Sequence, residues 1–158
     1  MTASKARTPR LILCCVVVPI ALLAGRAAMA ADAPVASSEE RWKTECASCH
    51  VAYPPRLLTA PAWRRLMSGL DRHFGTDASV DAQTARAIGA FLEQNAGTGR
   101  RATDTLRITE GRWFLRKHDE VPAAVWKKPA VKSAANCEAC HVDAARGGFS
   151  ERNVRIPR

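Results

Sequence analysis

The sequence predicts a mainly α-helical chain in two unequal parts, a regular helical one followed by a smaller and less regular one. Three observations carry this expectation. Apolar residues recur at helical spacing in the first part, Gly97-Thr98-Gly99-Arg100-Arg101 reads as a linker, and a Cys-x-x-Cys-His motif stands once in each part, at 46–50 and 137–141. A chain of 158 residues has room for one medium domain or two small ones.

The first thirty residues read as a signal peptide (1–30). Lys5, Arg7 and Arg10 form a basic start, Leu11 to Gly25 an apolar stretch, and Ala28-Met29-Ala30 a small-residue cleavage site. An uncleaved anchor is the rival. The apolar stretch is shorter than the roughly 20 residues that span a bilayer, and Pro19 interrupts it, so no integral membrane segment is expected after cleavage. Cys14 and Cys15 leave with the signal, and four of the six cysteines remain.

The expected elements follow in order. Ser37 and Glu40 are spaced as a capping box and open a helix through Trp42 to Cys46. Tyr53-Pro54-Pro55 forces an extended turn. Pro61 then starts a helix whose stripe of Trp63, Leu66, Met67, Leu70 and Phe74 places His73 on its inward edge. Asp77 or Ser79 caps a further helix with Ala85, Ile88 and Leu92 on its inner face, and Gly97 stops it. These elements compose a first domain, 31–97. The second, 98–158, holds a short segment around Leu106 to Ile108, a helix ending near His118, a proline-punctuated stretch with Trp126, and Asn136 capping the second motif. Gly147-Gly148 ends the last helix, and Ser150 to Arg158 reads as a disordered basic tail. About sixty residues with so little apolar sequence are marginal for an independent core, so a bound group must fill much of it and the cofactor-free chain should not fold.

Cys46-Ala47-Ser48-Cys49-His50 and Cys137-Glu138-Ala139-Cys140-His141 each match the c-type haem attachment sequence. Two thiols on one turn of chain reach the two vinyl groups of one porphyrin, and the next imidazole faces its iron. Cys46, Cys49, Cys137 and Cys140 are thus expected to tether two haem c groups, with His50 and His141 as proximal ligands. A redox dithiol, two disulfides or a four-cysteine zinc site are the alternatives. The export signal, the histidine after both pairs and the 91-residue separation of Cys46 from Cys137 favour haem.

The chain has four histidines, so His73 and His118 remain for the two sixth positions. They are symmetrically placed, His73 lying 23 residues after His50 and His118 lying 23 before His141. Met67 competes for the first iron, with core packing as its plainer role. A crossed arrangement, each part lending its histidine to the other's haem, stays open.

The net charge of +9 might indicate nucleic acid or an acidic surface. Residues 1–30 hold four of the 24 cations and no acid, which leaves 20 against 15, or +5. Four haem propionates would offset most of that. Basic residues occur in short groups such as Arg64-Arg65 and Lys127-Lys128, without the aromatic interleaving of a nucleic-acid surface.

Taken with these motifs, the chain resembles the small periplasmic dihaem cytochromes c of proteobacteria. The likeness rests on Glu45 to His50 followed by Tyr53-Pro54-Pro55, Leu106-Arg107-Ile108-Thr109-Glu110, Trp113-Phe114, His118-Asp119-Glu120, Ala130-Val131-Lys132-Ser133, Asn136-Cys137 and Asn153-Val154-Arg155-Ile156-Pro157. The resemblance implies an N-terminal class I cytochrome c-like helical domain, a less regular C-terminal haem domain, and bis-histidine ligation by His50, His73, His118 and His141. It also implies an electron carrier rather than an enzyme, Sec-exported to the periplasm. A membrane cytochrome b would be its donor and a small oxygen-binding mono-haem cytochrome c its acceptor. A peroxidase or reductase would need a displaceable ligand and further acid–base residues, and all four histidines are spent on iron. A gas-binding or sensing cytochrome would need one ligand to leave, and His118 on the less regular half is the expected place.

Overall fold

The structure is a computed structural model that describes residues 36–158; the expected signal peptide lies outside the described residues. Helix α1 (Ser38–Cys46) starts as the capping box predicts. The Ser37 hydroxyl accepts from the Glu40 amide at 3.2 Å, and the Glu40 carboxylate accepts from the Ser37 amide at 2.7 Å. The helix buries Trp42 and delivers Cys46 at its last residue.

Residues 51–54 run without regular structure, and Pro55–Leu57 forms a single 3₁₀ turn. Thr59 then caps α2 (Ala60–Met67), with Pro61 in its first turn. The Trp63 indole donates to the Pro55 carbonyl at 2.8 Å, which locks α2 onto the proline turn.

The apolar stripe expected through Phe74 is not one helix. α2 ends at Met67, the Ser68 hydroxyl turns back to the Arg65 carbonyl, and Leu70–Arg72 makes a separate 3₁₀ turn. His73 sits in the turn that follows, with φ −62° and ψ 89°, rather than on a helix edge. Phe74 takes the left-handed region, φ +50°, and is 45% exposed. That conformation costs a non-glycine residue roughly 1–2 kcal/mol. Ser68 and Gly69 explain the break: serine offers the backbone a local side-chain bond, and glycine in a helix interior costs about 1 kcal/mol relative to alanine.

Helix α3 (Ala82–Gln94) is capped by Asp81, whose carboxylate accepts from Gln83 and Thr84 at 2.9 and 3.0 Å. The expected caps sit earlier, where Asp77 instead closes a local turn by accepting from the Ser79 amide. Ile88 and Leu92 point inward as expected, joined by buried Thr84, with Ala85 partly covered. α3 packs on both α1 and α2 around Trp42, Leu58, Ala62, Trp63, Ile88 and Leu92. Fully burying a side chain such as Leu58, Ile88 or Leu92 contributes roughly 1.5–3 kcal/mol. Leu66 and Met67 pack against this core, so Met67 takes its plainer role.

Gly97 does not terminate α3, which ends at Gln94 with Asn95 as its C-cap. Its backbone passes so near residue 56 that a Cβ would lie 1.9 Å from the Arg56 carbonyl oxygen, and its amide donates to the Leu58 carbonyl at 2.9 Å. The chain beyond stays on this side: Thr103 pairs with Leu57 and Thr59 through two backbone bonds of 3.1 Å.

The remainder is a chain of short turns. A 3₁₀ turn at Ile108–Glu110 leads into α4 (Arg112–Lys117), with His118 as its C-cap, and then into α5 (Ala123–Trp126). Three more 3₁₀ turns follow at Cys137–Ala139, Ala144–Arg146 and Glu151–Asn153. Buried apolar residues here are Phe114, Val125, Val131 and Ala144. Gly147, φ +77°, closes the segment 144–146 as expected, but that segment is a 3₁₀ turn rather than the last helix, and the turn at Glu151–Asn153 follows it. Asn136 does not cap the second motif: its side-chain amide reaches back to the Val131 carbonyl at 3.0 Å. Nor is the tail free. Arg155 donates its amide to the Cys140 carbonyl at 2.8 Å, Val154 bridges His141, and Lys128 donates to the Pro157 carbonyl at 2.9 Å.

Candidate haem sites

The first motif begins at the end of α1, which leaves Cys46 partly buried and Cys49 exposed. His50 follows in the turn, and its Nδ1 lies 2.8 Å from the Val51 carbonyl. With the proton on Nδ1 donating to that oxygen, the Nε2 lone pair is the one left for a metal. Tyr53 stacks on the His50 ring, centroids 4.5 Å apart. His73 faces His50 with ring centres 6.2 Å apart and planes 27° from parallel.

The second motif forms a 3₁₀ turn closed by the His141 amide donating to the Cys137 carbonyl at 2.8 Å. His118 lies beside His141 with ring centres 6.1 Å apart and planes 78° apart. Its Nδ1 is 2.9 Å from the Phe114 carbonyl, and its ring stacks on Phe114 at 4.0 Å, with Trp126 at 5.9 Å. The His141 ring neighbours Phe149, and its Nδ1 is buried with no hydrogen-bond partner.

The histidines therefore pair within each part, His50 with His73 and His118 with His141, and the crossed arrangement is not formed. Both spacings suit one metal between two imidazoles. A nitrogen roughly 2 Å from the metal on each side, and roughly 1 Å from nitrogen to ring centre, puts the centres about 6 Å apart. Burial holds His73 below the ordinary histidine range, with His50 and Arg107 adding to it; burial and then His118 do the same for His141. Both rings are thus biased toward the neutral form that coordinates metal.

Burial pushes the Cys46 thiol up to about 11, helped by Glu45, and the Cys137 thiol also to about 11. A dithiol redox pair needs the opposite, a nucleophilic cysteine held low. Among the described residues no three His, Cys, Asp or Glu side chains gather to hold a metal, so the four-cysteine zinc arrangement is not formed. The four cysteines of the two motifs are free of disulfides.

A family model for dihaem cytochrome c matches residues 42–149, a span that includes both motifs and all four histidines. The chain belongs to the dihaem cytochrome c family. Solved structures agree. A dihaem cytochrome type c from Shewanella baltica OS155 is 40% identical, with TM-score 0.69, covering 77% of this chain and 95% of that one. A dihaem cytochrome c from Rhodobacter sphaeroides is 43% identical, with TM-score 0.63, covering 69% and 94%. The search of curated proteins returned no match. As a dihaem cytochrome c, the protein carries two haem c groups and is an electron-carrying c-type cytochrome of helical fold. Among its described residues no helix is long and apolar enough to cross a membrane.

Sequence reasoning missed several residues that shape these sites. The sequence places Tyr53 only in an extended turn and a family-like segment, Trp126 only in a proline-punctuated stretch, Phe114 only on the helical face of His118, and residues 154–155 in a loose tail. The signal for Tyr53 was weak because its polar partner, Ala135, lies 82 residues away. The signal for the tail lies in the segment Asn153 to Pro157, whose likeness to the family carries no structural role in the sequence alone.

Proposed function

We propose that this dihaem cytochrome c is a periplasmic one-electron carrier in which Cys46, Cys49, Cys137 and Cys140 tether the two haems. His50 with His73, and His118 with His141, are their axial ligands. The observation that supports this reading best is the near-equal spacing of the two histidine pairs, 6.2 and 6.1 Å. Each haem supplies a reversible one-electron couple when bound. The chain's own contribution is to fill both axial sides with imidazole, so that electron transfer itself requires no change of ligand. Filled axial positions favour a carrier over an enzyme. The absence of a methionine ligand favours potentials below the His/Met range, because methionine raises them. Family resemblance supports a membrane cytochrome b as donor and a small oxygen-binding mono-haem cytochrome c as acceptor.

The test is haem quantification with electron paramagnetic resonance and a redox titration of the exported protein. Two haems per chain, both low-spin with two imidazoles, and two low potentials are expected. A high-spin ferric signal at either site, or potentials in the His/Met range, would refute the ligation.

A further inference from the structure

The two non-motif histidines are held very differently. His118 is fixed on three counts: its Nδ1 bonds the Phe114 carbonyl at 2.9 Å, its ring stacks on Phe114 at 4.0 Å, and its amide donates to two carbonyls at the end of α4. His73 is held by less: its amide donates to the Leu70 carbonyl alone, at 3.3 Å, and its ring meets only the neighbouring Phe74 edge-on at 4.7 Å besides facing His50. Among the described residues nothing hydrogen-bonds its ring, and it belongs to a turn rather than a helix. The backbone bonds of residues 70–78 stay within 69–79, so no neighbouring element anchors that turn through hydrogen bonds. The residue after it, Phe74, is strained at φ +50° and is stabilised from outside by the Arg107 guanidinium 4.2 Å above its ring. A cleft of about 270 Å³, lined by His73 itself with Leu66, Gly69, Phe74 and Leu106, lies beside it. Movement of the ring thus breaks no side-chain hydrogen bond.

We propose that His73 is the displaceable axial histidine and that the Cys46–His50 site, not the Cys137–His141 site, admits a small neutral diatomic ligand such as carbon monoxide. This rests on the bis-histidine reading above. The step is ligand exchange at the reduced centre: the bond from His73 breaks, one to the diatomic molecule forms, and no electron or proton is transferred. His73 moves with its self-contained 70–76 turn, whose relaxation relieves the strain at Phe74. The reading reverses the expectation that His118, on the less regular half, would be the one to leave. Regularity of the surrounding chain is a poorer guide than how the ring itself is held.

The experiment uses the dihaem holoprotein, reduced without oxygen and mixed with carbon monoxide, followed by its Soret band and by the infrared stretch of the bound gas. Uptake of one molecule per chain is expected, at a rate independent of gas concentration because departure of His73 limits it. In His73→Gly the same site should bind about tenfold more tightly or better, since the competent form is no longer a minor population, and its rate should rise with concentration. Imidazole added to that variant should restore the six-coordinate spectrum, which shows that the fold survived. No uptake by the wild type, or a slow phase that persists in His73→Gly and disappears in His118→Gly, would overturn the proposal. If the oxidised wild type lacks two bis-imidazole signals, the ligation reading itself has failed, a separate and recognisable result.

Discussion

Tyr53 joins the two halves of the molecule: its ring stacks on His50 and its hydroxyl donates to the Ala135 carbonyl at 2.6 Å, two residues before Cys137. One side chain thus touches the histidine of the first motif and the backbone that leads into the second. Burial raises its phenol well above the ordinary tyrosine value, with Cys137 adding to the effect, so it stays a neutral donor at physiological pH.

Tyr53→Phe keeps the stack and removes the bridge. A net loss of about 1 kcal/mol is expected, seen as a lower midpoint in thermal unfolding followed by circular dichroism. Tyr53→Ala should lose more and also disturb the His50 spectrum. An unchanged midpoint in Tyr53→Phe would mean the bridge adds nothing.

Gly97 and Gly89 make opposite predictions from one substitution. Gly97→Ala drives a methyl against the Arg56 carbonyl, and a loss of about 2 kcal/mol or more is expected because backbone must move. Gly89 lies inside α3 with open space where a Cβ would go, so Gly89→Ala should gain roughly 0.5–1 kcal/mol from helix propensity alone. Denaturant midpoints of the two variants check both signs.

Asp81 ties stability to pH. Hydrogen bonds from the Thr84 side chain and amide hold its carboxyl below the usual aspartate range. The folded value is the depressed one, so its contribution is present above the unfolded value and fades as pH falls through the folded one. Asp81→Ala should therefore melt a few degrees lower at neutral pH, and the gap should close on acidification below pH 4 or so. A gap constant with pH would show that the carboxylate is not the source.

Removing residues 150–158 tests the tail. Loss of the Arg155 to Cys140 bond and of the Val154 bridge to His141 should perturb one low-spin resonance signal and leave the other as it was. Changes at both haems would show that the tail acts on the whole fold.

Double substitution of Cys137 and Cys140 by alanine should leave a chain with one haem, its N-terminal core protected from hydrogen exchange while residues 104–158 exchange freely. The reason is the distribution of buried residues: six form a cluster around α1, α2 and α3, whereas Phe114, Val125, Val131 and Ala144 are spread along the stretch 114–144 of short helices and turns. Persistent protection in the second half would count against the haem as its core.

What the sequence made legible was whatever is local. The capping box at Ser37 and Glu40, the inward face of α3 and the turn at Gly147 follow from neighbours a few residues apart. The apolar neighbours of His73 keep helical spacing through Leu70 and Phe74, which predicts a helix where the structure has a turn. A 3₁₀ turn follows the helix closely enough in period to carry that pattern past the break at Ser68 and Gly69. Asp81 is masked in the sequence by Asp77 and Ser79, which offer the same capping chemistry four and two residues earlier. The pairing of histidines, the approach of Gly97 to Arg56 and the fold-back of the tail are long-range contacts, for which spacing carries no signal.

Each histidine pair contains one ring whose Nδ1 meets a backbone carbonyl, but on opposite members: the motif histidine His50 in the first and the non-motif histidine His118 in the second. A carbonyl at Nδ1 makes an imidazole a stronger electron donor to a metal. Under the proposed ligation, each iron thus receives one enriched and one plain imidazole, and the two centres match in total ligand basicity. Any gap between their potentials must then come from solvent access and nearby charge. Surface substitutions, rather than changes to the ligands, would set the direction in which the electron prefers to rest.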